Sequence, residues 1–282
     1  FAMSVRMPIG VCALITPWNF PVAIPCWKMM PALVCGNTVI LKPAKDTSTC
    51  ANFLVWVFQE AGLPPGVVNL VHGEGETAGK ALLEHPGVDL VSFTGSSKTG
   101  AEIGATCGRT HKRVCLELGG KNAQIVMEDA DLELALEGAI WGAFGTSGQR
   151  CTATSRLILH RDIKDKFTAM LLEHTSKLRI GHGSDPNTDV GPLVNQGQLQ
   201  RVSDYLEIAR SEGAKVLIGG EIVKDEELQH GFFFAPTILD GVTPDMRVAR
   251  EEIFGPVVGL IEVSDFEEAI AILNDTPYGL SS

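Results

Sequence analysis

The sequence predicts an α/β protein built on a parallel sheet. Over the first 120 residues, short runs rich in Val, Ile and Leu alternate with stretches of helical periodicity. The short runs are nearly continuous in apolar character, as strands covered on both faces require. Strand–helix alternation implies parallel pairing through right-handed crossovers. The length of 282 residues fits two domains at roughly 100–200 residues each.

In the first half, strands are expected over 11–15, 38–42, 67–71, 90–94 and 114–118. Helices are expected over 22–34, 48–61, 76–84 and 97–107, the first made less regular by Pro25 and Pro31. The second half reads as a strand over 123–127, then a helix over 131–144 with Asp129 or Asp131 as N-cap. A Gly145-Thr146-Ser147-Gly148 turn follows, with a strand over 157–159 and a helix over 162–178. The stretch 181–195 is rich in Gly, Pro, Asp and Asn and reads as an exposed loop. A helix over 197–212, strands over 215–218 and 257–263, and a helix over 266–274 complete the pattern. A junction near 118–122 divides the chain into domains 1–118 and 119–282. Functional loops should lie at the carboxyl ends of the strands.

Composition excludes several classes. Lys plus Arg is 23 against 34 Asp plus Glu, a net charge of −11. That balance argues against nucleic-acid and anionic-membrane partners, which need a basic face. The most apolar early stretch, 9–25, holds Pro17, Asn19, Pro21 and Pro25 and cannot span a membrane. Seven cysteines at 12, 26, 35, 50, 107, 115 and 151 include no C-x-x-C pair, and thiols in this number fit a reducing cytoplasm. The seven His residues fall in no motif, so no metal is expected.

Four short motifs carry chemistry. His72-Gly73-Glu74-Gly75-Glu76-Thr77-Ala78-Gly79 stands where a strand meets a helix, but its G-x-G-x-x-x-G spacing departs from the dinucleotide fingerprint. A plain tight turn explains it equally well. Phe93-Thr94-Gly95-Ser96 is a second strand-end loop whose amides, at a helix N-terminus, could hold a pyrophosphate. Glu117 ends an apolar strand before Gly119-Gly120; a cleft or simple emergence into solvent would account for it. Cys151, in Gly148-Gln149-Arg150-Cys151-Thr152, is the one cysteine in a polar loop beside an arginine. A neighbouring cation and N–H groups favour the nucleophilic thiolate.

Glu117 in Leu-Glu-Leu-Gly-Gly-Lys-Asn and Cys151 in Gly-Gln-Arg-Cys, 34 residues later, together resemble the signature pair of the aldehyde dehydrogenase superfamily. The likeness extends along the whole chain. Ile15-Thr16-Pro17-Trp18-Asn19-Phe20-Pro21 resembles the family's oxyanion loop and Leu41-Lys42-Pro43-Ala44 its adenosine-ribose site. Phe93-Thr94-Gly95-Ser96 resembles its pyrophosphate loop and Glu251-Glu252-Ile253-Phe254-Gly255-Pro256 its nicotinamide-ribose segment. The resemblance implies a Rossmann-type parallel-sheet cofactor domain followed by an α/β catalytic domain.

It also implies NAD(P)-dependent oxidation of an aldehyde to a carboxylic acid. Cys151 would attack the carbonyl, with the Asn19 amide and the Cys151 N–H stabilising the oxyanion. After hydride transfer, Glu117 would activate the water that hydrolyses the thioester, and Lys28 would assist near the oxyanion. By the same likeness Lys42 and Glu252 would hold the two riboses and Phe254 would contact the nicotinamide. Trp18, Gly75, Gly95, Ser96 and Leu118 would line the rest of the cofactor site. Members preferring NAD often carry a Glu where this chain has Lys45. A cation there would attract a 2′-phosphate, which tilts the expectation toward NADP unless Lys45 points to solvent.

Two alternatives stand beside hydrolytic oxidation. One is acyl transfer to coenzyme A, disfavoured by Glu117; the other is a nucleotide-binding fragment without turnover. The substrate would be a small aldehyde, with a carboxylate-bearing semialdehyde as one candidate. Arg113, Arg150 and Arg156 are equal candidates for its distal charge. Set beside the family, the chain lacks its first strands and its last segment, so the intact enzyme is expected to be longer and a homodimer or homotetramer.

Overall fold

The computed structural model describes residues 1–225 and 227–282. They divide into two compact units, Phe1–Leu118 and Gly119–Ser282, and both are α/β.

Unit 1 holds five strands, β1 (Val11–Ile15), β2 (Thr38–Lys42), β3 (Val68–Leu70), β4 (Leu90–Thr94) and β5 (Arg113–Glu117). They form one sheet in the order β3-β2-β1-β4-β5, every pair parallel. Helices α1 (Ala23–Val34), α2 (Ser48–Glu60), α3 (Lys80–Glu84) and α4 (Ser97–Thr110) supply the crossovers. The central strand shows why its sequence is apolar throughout. Ala13 and Ile15 belong to a cluster with Val91, Phe93, Ile103 and Cys107, while Cys12 and Leu14 belong to another with Met29, Val39, Leu41 and Leu54. Period-two alternation sends successive side chains to opposite faces, and both faces are covered.

Three expectations change here. Strand β5 is not covered on both faces, since Arg113, Val114, Cys115 and Glu117 are all exposed. It is an edge strand, paired with β4 alone. The helix expected over 76–84 is entered through a π turn at Gly75–Gly79 before α3 begins. Helix α1 runs through Pro31 unbroken.

Unit 2 holds β6 (Asn122–Val126), β7 (Thr154–His160), β8 (Lys215–Ile218), β9 (Thr237–Asp240) and β10 (Val257–Val263). The order is β6-β7-β10-β9-β8, parallel except for the antiparallel β8–β9 pair. Helices α5 (Leu132–Phe144), α6 (Arg161–Ser176), α7 (Gln196–Ser211), α8 (Arg247–Arg250) and α9 (Phe266–Asn274) accompany it. Strand β9 and the one-turn α8 are absent from the sequence reading, each only four residues long. Periodicity has little to act on at that length.

Caps define the helix starts. Asp131, rather than Asp129, caps α5: its Oδ1 accepts the N–H groups of Glu133 and Leu134 at 3.1 and 3.2 Å. His160 is buried and caps α6, while its Nε2 lies 2.9 Å from the Ser264 carbonyl. The 181–195 stretch is not wholly exposed, because Val190 and Leu193 are buried and Val190 bridges Ile180. Among the described residues, no helix is long and apolar enough to cross a membrane, and no group of side chains could hold a metal ion.

Candidate functional site

In unit 1 the parallel register places the carboxyl ends of the strands along one edge. Ile15 pairs with Lys42, and Thr94 with Glu117. The segments that leave this edge carry Trp18 and Asn19 after β1, Lys42 and Lys45 at and after β2, and Gly75 after β3. They also carry Gly95 and Ser96 after β4, and Glu117 and Leu118 at the end of β5. Sheet topology thus gathers residues spread over a hundred positions of sequence.

Lys42 is buried at 4% exposure. Its Nζ donates to the carbonyls of Pro43 at 2.8 Å and Gly73 at 2.9 Å, which fixes the ammonium between the ends of β2 and β3. Burial pulls its pKa down and the Glu74 charge opposes that shift. Lys45 does not stand alone in solvent: its Nζ lies 3.0 Å from Glu74 Oε1. That bond and the charge of Glu74 push its pKa up.

Helix α4 starts on Ser96, whose Oγ accepts the Thr99 N–H at 3.3 Å. The Gly95 N–H donates to the Glu117 carbonyl at 3.1 Å, so the phosphate-type loop and the strand-end carboxylate residue are adjacent. A Cβ on Gly100 would meet the tip of the Leu118 side chain, so α4 packs closely on the end of β5 there. Lys28 projects from α1 and donates to Ser92 Oγ at 2.9 Å. Burial lowers its pKa, while the Glu117 and Cys115 charges oppose the shift. Lys28 and Glu117 thus share one electrostatic neighbourhood.

Unit 2 holds Cys151, Glu252 and Phe254. Thr146 and Ser147 have φ of 53° and 56°, and Gly148 has φ of 66°, so a left-handed turn precedes the cysteine. Cβ at Gly148 would strike the Gly255 carbonyl, which reserves the position for glycine. The backbone of Cys151 is anchored through its carbonyl, which accepts Asn122 Nδ2 at 2.6 Å. The same Nδ2 reaches the Ala153 carbonyl at 3.1 Å. Gly120 joins the two halves of this constellation. A Cβ on it would collide with the Cys151 carbonyl, and its N–H donates to Glu252 Oε1 at 3.0 Å. Burial raises the Glu252 pKa, with the Gly120 N–H and the Arg201 and Lys121 charges acting against it.

Phe254 sits at φ 64°, a left-handed conformation that costs a non-glycine residue about 1–3 kcal/mol. Helix α7 holds it there. Gln198 Nε2 donates to the carbonyls of Ile253 at 3.1 Å and Phe254 at 2.8 Å, and Arg201 donates to those of Glu252 and Ile253. Gln198, Arg201 and Asn122 escape a sequence reading, since nothing local marks a polar residue for backbone carbonyls far along the chain. Asn122, inside the Leu-Gly-Gly-Lys-Asn run, was the nearest to a signal.

The arginines are largely committed. Arg150 donates to the Trp141 and Gly142 carbonyls at 2.7 and 3.0 Å and stacks 4.7 Å from the Trp141 ring centroid. It serves the end of α5 while still sensing the Cys151 charge. Arg156 is buried and donates to the carbonyls of Lys121, Ile272 and Leu273. Arg113 is exposed on β5.

The donor set suits a dinucleotide on chemical grounds. Unit 1 offers a fixed ammonium, a serine-capped helix N-terminus and a glycine turn where added bulk at Gly75 would meet open space.

Comparison with known proteins agrees with this chemistry. The description of the aldehyde dehydrogenase family matches residues 1–282. The chain is 49% identical over 280 residues to an alpha-ketoglutaric semialdehyde dehydrogenase of Bacillus subtilis, covering 99% of this chain and 57% of that protein. It is 47% identical to a 2,5-dioxopentanoate dehydrogenase of Saccharolobus solfataricus, covering 98% and 57%. A crystal structure of betaine aldehyde dehydrogenase from Staphylococcus aureus in complex with NAD+ superposes with a TM-score of 0.95 at 38% identity, covering 97% of this chain and 54% of that one. The chain therefore spans little more than half the length of the relatives it matches. On the family match over its whole length and on these identities, the chain belongs to the aldehyde dehydrogenase family.

Proposed function

We propose that this chain carries the nicotinamide-dependent oxidation of an aldehyde to a carboxylic acid. The observation that supports it most is the common edge of unit 1, where Asn19, Lys42, Gly95, Ser96 and Glu117 are gathered by parallel register. NAD or NADP would supply the hydride acceptor. Lys42 would hold the adenosine ribose, and Ser96 with the first amides of α4 the pyrophosphate, helped by Trp18, Gly75, Gly95 and Leu118. In unit 2, Glu252 and Phe254 would serve the nicotinamide end.

The chain's own groups do the rest. The Cys151 thiolate adds to the carbonyl carbon, and the oxyanion takes hydrogen bonds from the Asn19 amide and the Cys151 N–H, with Lys28 in support. Loss of hydride from the adduct leaves a thioester on Cys151. Glu117 removes a proton from water, the resulting hydroxide attacks the thioester, and the acid departs as the thiolate re-forms. The two semialdehyde-oxidising relatives favour a short aldehyde with a distal carboxylate. We place the protein in the cytoplasm as a homodimer or homotetramer, and take the units as cofactor-binding (1–118) and catalytic (119–282) domains.

The test is absorbance of the reduced nicotinamide with alpha-ketoglutaric semialdehyde and each cofactor. Turnover should need no coenzyme A, and Cys151→Ala should abolish it. Glu117→Gln should retain a first burst of reduced nicotinamide and lose the steady state. Turnover that requires coenzyme A would replace the hydrolytic reading, and nucleotide binding with no turnover by any aldehyde would reduce the chain to a binding module.

A further inference from the structure

Lys45 and Glu74 meet across the ends of two neighbouring strands. Lys45 lies three residues past the end of β2 and Glu74 four past the end of β3. Their Nζ–Oε1 distance is 3.0 Å, with side chains 62% and 61% exposed. Both flank the Lys42 ammonium, which rests on the Gly73 carbonyl next to Glu74. The sheet order β3-β2-β1-β4-β5 follows the first five strands of a doubly wound dinucleotide-binding sheet. In such sheets an acidic group beyond the second strand takes the ribose 2′-hydroxyl, whereas a cation there accommodates a 2′-phosphate. This chain presents both chemistries at once, the cation from one strand end and the carboxylate from the next.

We infer that Glu74 is a specificity-determining residue that makes the cofactor NAD rather than NADP. Beside Lys45 it cancels the charge that would attract a 2′-phosphate, and its carboxylate can accept a ribose hydroxyl. Lys45 alone would point the other way. The pair is exposed, so its bond is weak and easily broken; the discrimination comes from charge balance. A phosphate of nearly two negative charges beside a cation and a carboxylate gains almost nothing. Beside the cation alone it gains an attraction of the order of tenfold in affinity, at a few ångströms in water. Asp46, whose charge also acts on Lys45, adds to the same bias.

The inference rests on the nicotinamide-cofactor reading above, and calorimetric titration separates the two. Wild type, Glu74→Gln and Glu74→Gln/Lys45→Gln would each be titrated with NAD and NADP at low salt, with far-ultraviolet circular dichroism confirming folding. Wild type should bind NAD more tightly. Glu74→Gln should shift the NADP-to-NAD affinity ratio about tenfold toward NADP, and the double variant should lose that gain. A ratio that moves less than twofold in Glu74→Gln, or a wild type that already prefers NADP, would overturn the role of Glu74 while leaving the enzyme reading intact. Folded wild type that binds neither nucleotide would overturn the cofactor reading and this inference with it.

Discussion

Glu252 Oε1 accepts the backbone N–H of Gly120 at 3.0 Å across 132 positions of sequence. That single bond ties the family's proposed nicotinamide-ribose carboxylate to the strand entry that also abuts the Cys151 carbonyl. Whatever displaces Gly120 displaces both.

The two glycines of the pair should therefore respond differently to alanine. At Gly120 the obstacle is backbone, the Cys151 carbonyl, which cannot step aside. At Gly119 the added Cβ meets the tip of Glu252, 2.5 Å from Oε2, and a flexible carboxylate can swing away. Gly120→Ala should cost about 1–3 kcal/mol in urea unfolding and lower kcat at least tenfold. Gly119→Ala should stay near wild-type stability and raise the KM for the nicotinamide cofactor. Equal stability losses in the two variants would contradict the distinction.

Gln198→Ala removes the Nε2 bonds to the 253 and 254 carbonyls, while Arg201 still serves that of Ile253. Losing the part-buried bond to the Phe254 carbonyl should cost about 1–3 kcal/mol. Phe254 would then relax from φ 64°. Cofactor KM should rise more than aldehyde KM, as steady-state kinetics with each varied in turn would reveal.

Glu251 should contribute to acid sensitivity. Arg247 and then Tyr205 hold its carboxylate down to about 2, through bonds of 2.9 and 2.6 Å. A depressed folded pKa means stability is present above the ordinary 4.5 and fades as pH falls toward about 2. Because the pair is well exposed, the effect should remain under about 1 kcal/mol. The gap in urea midpoint between wild type and Arg247→Gln should be widest near neutrality and close as pH falls through that window.

Lys121 should act at the alkaline end. It is fully buried, and burial brings its pKa down to about 7, with Arg156 adding repulsion. Above about 7 the folded chain has released this proton while the unfolded chain keeps it to 10.5. The unfolded state binds more protons, so this group makes stability rise with pH across that window. Lys121→Met should be the more stable protein at pH 7, and its advantage should shrink by pH 9. A difference constant over that range would show that Lys121 does not titrate in the folded chain.

The fold was legible wherever periodicity had room to act. The central strands at 11–15, 38–42 and 90–94 and the long strand at 257–263 have the bounds expected of them, because burial on both faces imposes an apolar run that composition reveals. Four-residue elements such as β9 and α8 carry no such signal. Exposure of β5 was equally hidden, since its residues Val114, Cys115 and Leu116 are apolar enough to pass for a covered strand.

For the candidate site, local chemistry marked the groups but not what holds them. The glycine turn before Cys151, the serine that caps α4 and the lone strand-end carboxylate at Glu117 are visible as short motifs. Each is a property of neighbouring residues and is readable along the chain, as are the α/β alternation and the family likeness. Which charges are already spent is set by contacts between distant parts of the chain. Lys45 is paired with Glu74, Arg150 and Arg156 are bound to backbone carbonyls, and Asn122, Gln198 and Arg201 fasten the backbone around Cys151 and Phe254. These partners lie from 8 to 117 positions apart. Hydrogen bonding and charge act over ångströms of space, and chain order says little about which groups the fold will bring within that reach.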